Sequence, residues 1–289
     1  MNDLDIELLD GLPPLGPVFA RALIPRPRRE PAMPRTAVMV AGLQQDRDRF
    51  ARYTQVCGFT LKDAVPPTWL HVLTFPLHVH LLSSPGSTMR AAGMVHVTNS
   101  MRLHRTVSVA EPLDLQVHAA NLRPHRRGAL VDMLGEVRVA DEVVWDGVST
   151  YLMQGATLPG EPQQTPRDEF TAGTPSALWR LEAGLGRRYR AVSGDPNPIH
   201  TSRLAARAFG FSRPIIHGMW THARTLAALE NRLPEEYEVA VSFTKPILLP
   251  ATVGFRAESR GSGWQAAVTD REGTKPYLLA RIDAESGTA

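Results

Sequence analysis

The chain has 289 residues, 43% of them hydrophobic and 21% charged, which is enough to build the cores of two ordinary globular domains. No apolar run approaches the roughly 18 residues that span a bilayer, and the acidic start lacks the basic and apolar regions of a signal peptide. The net charge of +3 comes from scattered basic residues without a nucleic-acid-binding motif, so we expect no nucleic-acid partner. The single cysteine, Cys57, excludes an internal disulfide and favours a cytoplasmic location.

The first half of the chain predicts one long helix followed by several strands. A Y-x-x-V-C-G motif at residues 53–58 precedes an apolar, helix-like segment at residues 68–82. Runs rich in Val, Leu, Thr and aromatic residues follow, separated by Pro, Gly or charged turns. They predict strands at residues 94–109, 113–121, 128–139 and 143–153.

The second half repeats this order of elements. Its Y-x-x-V-S-G motif at residues 189–194 matches the first motif at an offset of 136 residues, and apolar residues at helical spacing predict a helix at residues 218–232. A helix followed by several antiparallel strands, repeated in both halves of the chain, is an α+β pattern. The predicted strands are residues 239–248, 251–259, 264–269 and 277–284.

The most informative segment is residues 194–200, which read G-D-P-N-P-I-H. Its two prolines fix their own φ and push the residue before each of them out of the α region. A helix can therefore begin at Pro198 with Asn197 as its N-cap, and we expect it to continue to Gly210. His200 would lie in the first turn, where the helix dipole disfavours a positive imidazolium.

This spacing favours proton transfer. Asp195 and His200 come from one short segment, and a neutral imidazole beside an ionised carboxylate is an acid/base pair suited to pH 7. Further along the chain, His217 and Gly218 open the helix predicted at 218–232. An amide at that end combines a fixed donor with the positive end of the helix dipole, which suits a developing negative charge on oxygen.

Two stretches resemble the signature of the MaoC-like dehydratases, which include (R)-specific enoyl-CoA hydratases and 3-hydroxyacyl-thioester dehydratases. They are Y-R-A-V-S-G-D-P-N-P-I-H at residues 189–200 and G-F-S-R-P-I-I-H-G-M at residues 210–219. The resemblance extends through V-S-F-T-K-P at residues 241–246 to roughly the C-terminus. It implies a double hot dog, in which each of two fused repeats wraps a curved antiparallel sheet around a long helix.

The resemblance also implies roles for individual residues. In the family the Asp and the His of the motif are the catalytic pair, which here are Asp195 and His200. The glycine after the second histidine, here Gly218, offers its backbone N–H to the thioester oxygen.

The two repeats differ in their chemistry. After Gly58 the first repeat reads F-T-L-K and lacks the D-x-N-P-x-H run. We therefore expect residues 1–155 to form a degenerate repeat that serves as scaffold and acyl-chain tunnel. Residues 156–172 are expected to be a linker, and residues 173–289 the catalytic repeat.

Other residues are candidates for substrate contacts. Ser193 and Asn197 can bond the substrate or only shape the turn, and His217 can contact the substrate or only begin the helix. Five basic residues near the motifs either meet the phosphates of coenzyme A or phosphopantetheine, or are simply solvated. They are Arg187, Arg188, Arg190, Arg213 and Lys245.

No metal or other cofactor is expected. The histidines of the first predicted helix, His71, His78 and His80, are spaced by seven, nine and two residues. None of these spacings is the three or four residues that would place a pair on one helical face. No G-x-S-x-G elbow, P-loop or G-x-G-x-x-G fingerprint is present either.

The predicted function is reversible hydration of trans-2-enoyl thioesters and dehydration of (3R)-3-hydroxyacyl thioesters, carried on coenzyme A or on an acyl carrier protein. A hot-dog acyl-CoA thioesterase and a non-catalytic acyl-thioester-binding protein are the alternatives. The acyl chain, the carrier, the physiological direction and the formation of a homodimer stay open. So does the assignment of acid and base between Asp195 and His200.

Overall fold

The structure is a computed structural model that describes residues 4–17, 30–84, 87–89, 93–163 and 169–284. The chain divides into two compact units. The first unit takes the described residues of Met1–Gln45, Val65–Met101 and Val107–Pro166, and the second takes those of Asp46–Ala64, Arg102–Thr106 and Arg167–Ala289. Within the described residues, no helix has both the length and the apolar character to cross a membrane.

Helices and strands alternate in long blocks, as the predicted α+β pattern requires. The helices that lie wholly within the described residues are α1 (Arg47–Cys57), α2 (Pro67–Ser83), α3 (Leu185–Ser193), α4 (Arg203–Ala208) and α5 (Gly218–Leu229). The strands are β1 (Asp5–Leu9), β2 (Thr36–Leu43), β3 (Met94–Leu103), β4 (Leu113–His125), β5 (Gly128–Val139), β6 (Glu142–Gln154), β7 (Ala177–Leu181), β8 (Tyr237–Phe243), β9 (Ala251–Arg260), β10 (Gly263–Asp270) and β11 (Pro276–Ala284).

The first unit packs the apolar helix α2 against its sheet. The strand order is β1-β2-β4-β5-β6-β3. The pairs from β2 through β6 are antiparallel, and β1 lies parallel to β2. Because α2 is hydrophobic on every side, it is buried on nearly all of them, and Trp69, Leu70 and Leu77 have no exposed surface.

The second unit is built in the same way around α5. Its strand order is β8-β11-β10-β9-β7, antiparallel throughout. Helix α5 contacts β10 and β11, and its residues Ala223 and Leu226 are fully buried. Helices α1 and α3 pack against each other in this unit.

The two Y-x-x-V motifs mark helix ends that the sequence reading did not place. Helix α1 ends at Gly58 (φ 83°) and α3 ends at Gly194 (φ 80°), both in the left-handed conformation that glycine adopts without strain. Tyr53 and Tyr189 are buried, with ring centroids 6.3 Å apart. The shared motif therefore reflects one local structure used twice, and its first copy lies in the second unit.

The predicted helix from Pro198 to Gly210 is wrong as a single element. Asn197 caps a three-residue 3₁₀ turn, Pro198–His200, as predicted, and its side chain accepts a bond from the Ile199 N–H. The helix then stops, because the Ser202 side chain caps a new start by accepting a bond from the Ala205 N–H at 3.3 Å. Gly210 (φ 85°) follows the end of that second piece, α4.

Two strand predictions were too long, and several elements were missed. The strand predicted at 94–109 ends at Leu103, and the one predicted at 239–248 ends at Phe243, shortly before Pro246, which has no N–H for a ladder bond. The other predicted strands agree with the structure to within a few residues at their ends. The missed elements are β1, β2, β7, α1 and α3.

We expect acid to destabilise the fold through the buried histidines of α2. Burial lowers the pKa of His71 to about 4, and burial together with the charge of His71 holds the pKa of His78 well below its ordinary value. The unfolded chain binds these protons near pH 6.5 and the folded chain does not. Stability should therefore fall as the pH drops from about 6.5 towards 4, by about 3 kcal/mol for His71 alone.

The free energy of unfolding in urea, compared between about pH 7 and about pH 4, measures this loss. His71→Phe should flatten the dependence, because it keeps a ring and removes the titrating group. His80→Gln is the matched control on the same helix, since His80 is only partly buried and its Nε2 lies 3.0 Å from the Glu7 carboxylate. An equally steep acid loss in His71→Phe would contradict this explanation.

Candidate active site

Asp195 lies just beyond the end of α3, where the local sequence fixes one of its two oxygens. Its Oδ1 accepts a hydrogen bond from the Asn197 N–H at 2.9 Å, and its own N–H donates to Ser193 Oγ at 3.3 Å. This is the Asx turn that such sequences favour. The second oxygen, Oδ2, lies 3.9 Å from His200 Nε2 and 3.8 Å from His217 Nε2.

His200 ends the 3₁₀ turn and is 8% exposed. Its Nδ1 lies 2.9 Å from the Ile215 carbonyl oxygen. Because a carbonyl only accepts, Nδ1–H must be the donor, and in the neutral ring Nε2 then carries the lone pair on the side of Asp195.

Because His200 is buried, it stays neutral at a lower pH than an exposed histidine would. Desolvation lowers its pKa, and the opposing effects of Asp195 and of the bond to the Ile215 carbonyl do not cancel it. The sequence predicts that a helix dipole keeps His200 neutral. The segment is only a three-residue turn with hardly any dipole, and burial lowers the pKa of His200 instead.

His217 stacks directly on His200. The ring centroids are 3.6 Å apart with planes 24° from parallel, and Tyr189 packs on His217 at 4.9 Å. His217 is 3% exposed, and within the described residues neither of its ring nitrogens has a hydrogen-bond partner. Its pKa lies well below the ordinary value because of burial first, and then because of the charges of His200 and Arg190.

Gly218 is the first residue of α5, so its N–H lies outside the hydrogen-bond ladder of the helix. In the described part of the chain, no group accepts a bond from this N–H. A Cβ built at Gly218 would come within 2.9 Å of the Phe243 ring, so glycine allows α5 to begin close against β8. The site thus combines a free amide, a helix N-terminus and the histidine pair.

Asp195, His200 and His217 together offer a carboxylate and two imidazoles, which are side chains of the kind that bind metal ions. One ligand atom from each of Asp195, His200 and His217 lies within 4.8 Å of the others. The stacking works against chelation, because lone pairs in nearly parallel ring planes run side by side and do not converge on one ion. The arrangement of these three side chains therefore does not fit a metal ion.

The other predicted site residues differ in their position relative to Asp195. Ser193 and Asn197 support the turn that carries Asp195. Lys245 is exposed after the end of β8, and within the described residues it forms no ion pair with Asp195.

Sequence reasoning missed Arg49 of α1. Its Nε donates to the Val192 carbonyl at 2.7 Å and its Nη2 to the Ser193 carbonyl at 3.1 Å. These are the last carbonyls before the segment that carries Asp195, which a helix end leaves without partners. The available signal was the repeated Y-x-x-V motif, since Arg49 stands one helical turn before Tyr53.

A long helix packed on a mainly antiparallel sheet in each unit defines a hot-dog protein, and its second unit sets a half-buried carboxylate and a buried imidazole near a helix N-terminus. The MaoC like domain matches residues 158–278. The chain belongs to the MaoC-like dehydratase family, and the predicted double hot dog is confirmed.

One curated relative and two solved structures, each similar to most of the chain, illustrate this. The 3-hydroxyacyl-thioester dehydratase X of Mycobacterium tuberculosis is 37% identical over 264 residues, which is 91% of this chain and 94% of that protein. The crystal structure of HtdX of Mycobacterium tuberculosis superposes with a TM-score of 0.78 at 35% identity, over 86% of this chain and 100% of that one. A MaoC-like dehydratase from Phytophthora capsici shares the fold, with a TM-score of 0.70 at 16% identity over 89% of this chain and 96% of that one.

We expect Arg49→Met to lower the free energy of unfolding by about 1–3 kcal/mol, because it leaves two buried carbonyls without their donor. Arg52→Met, one turn along the same helix, is the control, since Arg52 is exposed. Urea denaturation of both variants measures the difference. Equal losses in the two variants would show that the bonds to Val192 and Ser193 do not stabilise this helix end.

Proposed function

We propose that this chain is a 3-hydroxyacyl-thioester dehydratase that hydrates trans-2-enoyl thioesters reversibly and dehydrates (3R)-3-hydroxyacyl thioesters. The observation that carries the proposal is the pairing of Asp195 Oδ2 with the lone pair of His200 Nε2, 3.9 Å apart, beside the free amide at the start of α5. The 37% identity to a 3-hydroxyacyl-thioester dehydratase supports it.

In the proposed hydration, a water molecule lies between Asp195 Oδ2 and His200 Nε2. His200 takes one proton as the oxygen bonds to the β carbon, and the electron pair of the double bond moves through the α carbon onto the thioester oxygen. The imidazolium then returns that proton to the α carbon on the same face. In dehydration, His200 removes the α proton and protonates the leaving hydroxyl group.

The remaining groups stabilise the charges that this reaction develops. The Gly218 N–H and the positive end of α5 face the enolate oxygen. Asp195 orients the water and stabilises the imidazolium, as a carboxylate does beside a catalytic histidine. His217 stays neutral against His200 and contacts the thioester through a free ring nitrogen.

The proposal assigns different tasks to the two halves. Residues 173–289 carry the chemistry, and residues 1–155 form the scaffold and the tunnel for a longer acyl chain, joined through residues 156–172. The reaction needs no cofactor. The buried, unpaired Cys57 fits a reducing cytoplasm, and two copies can still pair as a homodimer.

Asp195→Asn and His200→Ala should each lower the turnover of crotonyl-CoA hydration by about 10²-fold or more, because each removes part of the proton-transfer pair. Loss of the enoyl absorbance measures hydration, and circular dichroism checks folding. Asp270→Asn is the matched control. Asp270 also accepts backbone N–H bonds in a turn, from Thr274 and Lys275, but has no recorded contact with a histidine.

Near-normal hydration by both variants would show that the site is wrong. A thiol reagent gives a second readout in the same assay. Release of free thiol by the wild type, without hydration, would make the protein a thioesterase.

The pH dependence follows from the lowered pKa of His200. Hydration needs the neutral imidazole, so kcat/KM should fall with decreasing pH as His200 becomes protonated. Because burial lowers that pKa, the acid limb should lie below about 6.5, the ordinary histidine value. A pH profile of kcat/KM for crotonyl-CoA locates the limb, and a limb clearly above that value would contradict a buried, neutral base.

A further inference from the structure

The five basic residues near the motifs have different surroundings. Arg188 forms an ion pair with Glu182 at 3.0 Å, and Arg213 donates to the Pro250 carbonyl at 3.4 Å. Lys245 is exposed beyond β8. The remaining two, Arg187 and Arg190, line an open cleft.

This cleft has a volume of about 500 Å³ and is formed within the second unit. Arg187 and Arg190 stand three residues apart on α3 and so share one face of the helix. The other lining residues are Ala191, Gly194 and Thr201.

The cleft adjoins the acid/base pair. Gly194 directly precedes Asp195 in the chain, and Thr201 directly follows His200. Arg190 also contributes to the lowered pKa of His217, after burial and the charge of His200. The positive charge of Arg190 therefore acts on His217, which stacks on His200.

In the described parts of the chain, no carboxylate pairs with Arg187 or Arg190, whereas their neighbour Arg188 has Glu182. Two exposed arginines and a threonine in the lining of one cleft offer several donors to a group with several acceptor oxygens. Phosphate is the group that arginine recognises best in this way, through paired N–H bonds.

We propose that this arginine cleft, lined by Arg187 and Arg190, binds a phosphate of the thioester carrier, and so anchors the pantetheine arm whose other end presents the acyl group to Asp195 and His200. The inference rests on the proposed function. The 4′-phosphate of the phosphopantetheine arm is common to both carriers: it is a phosphodiester in acyl carrier protein and half of a diphosphate in coenzyme A, which adds further phosphates.

The kinetic test compares two substrates that differ in phosphate. Crotonyl-CoA carries phosphates, and the crotonyl thioester of N-acetylcysteamine carries none. Arg187→Ala should lower kcat/KM for crotonyl-CoA by about tenfold or more and leave kcat/KM for the short thioester unchanged. Arg190→Ala also removes a charge that acts on His217, so it should lower kcat/KM for crotonyl-CoA by a larger factor than kcat/KM for the short thioester. Arg188→Ala, on the same helix but paired with Glu182, is the control and should behave as the wild type with both substrates.

A binding test does not depend on catalysis. Isothermal titration of free coenzyme A and of 4′-phosphopantetheine, at one ionic strength, should show Kd values about tenfold or more higher in Arg187→Ala and Arg190→Ala than in Arg188→Ala. A loss for both ligands would assign the cleft to the phosphate that the two carriers share. A loss for coenzyme A alone would assign it to the additional phosphates.

Three results would overturn the inference: equal binding in all variants, an equal loss in Arg188→Ala, or no binding of either ligand by the wild type. Equal kinetic losses with the short thioester would also overturn it, because phosphate could not be the cause. A wild type that binds coenzyme A through these arginines but hydrates neither thioester would leave the inference standing and contradict the proposed function alone.

Discussion

The hydrogen bond from the Asn197 N–H to Asp195 Oδ1, 2.9 Å long, fixes one carboxylate oxygen and leaves Oδ2 to the histidine pair. The rest of the site depends on this local turn, because a carboxylate that rotated freely would not stay beside His200 Nε2. The elements on both sides hold the turn in place. Arg49 binds the carbonyls at the end of α3, and the Ile215 carbonyl fixes the ring of His200.

Burial then sets the protonation states that the chemistry needs. An imidazole removed from water is harder to charge, so both His200 and His217 have lowered pKa values. The stacked, neutral pair lies at the beginning of α5, whose free N–H groups favour negative charge. In the proposed reaction, the proton-accepting atom and the anion-stabilising amide thus come from consecutive segments of the second unit. The arginine cleft, whose charge no carboxylate of the described residues pairs, lies beside them.

Local chemistry explains which parts the sequence could predict. The prolines and Asn197 dictate the backbone around Asp195 within a few residues, and strong apolar runs mark α2, α5 and most strands. The missed parts depend on contacts between distant segments. The local sequence does not indicate that α1 packs on α3 or that His217 stacks on His200. It also does not indicate that Arg49 binds carbonyls 143 and 144 residues further along the chain. Ser202 is a residue type that commonly caps helices, so the separate start of α4 could have been predicted from the sequence.

A double-mutant cycle between Asp195 and His200 tests most directly whether the two side chains act as one proton-transfer unit. Hydration of crotonyl-CoA by Asp195→Asn, His200→Ala and the double variant gives the three kcat/KM values that the cycle needs. If the carboxylate works only through the imidazole and the water between them, the double variant will be no slower than the slower single variant. Losses that multiply, so that the double variant falls by the product of the two single effects, would contradict a shared site.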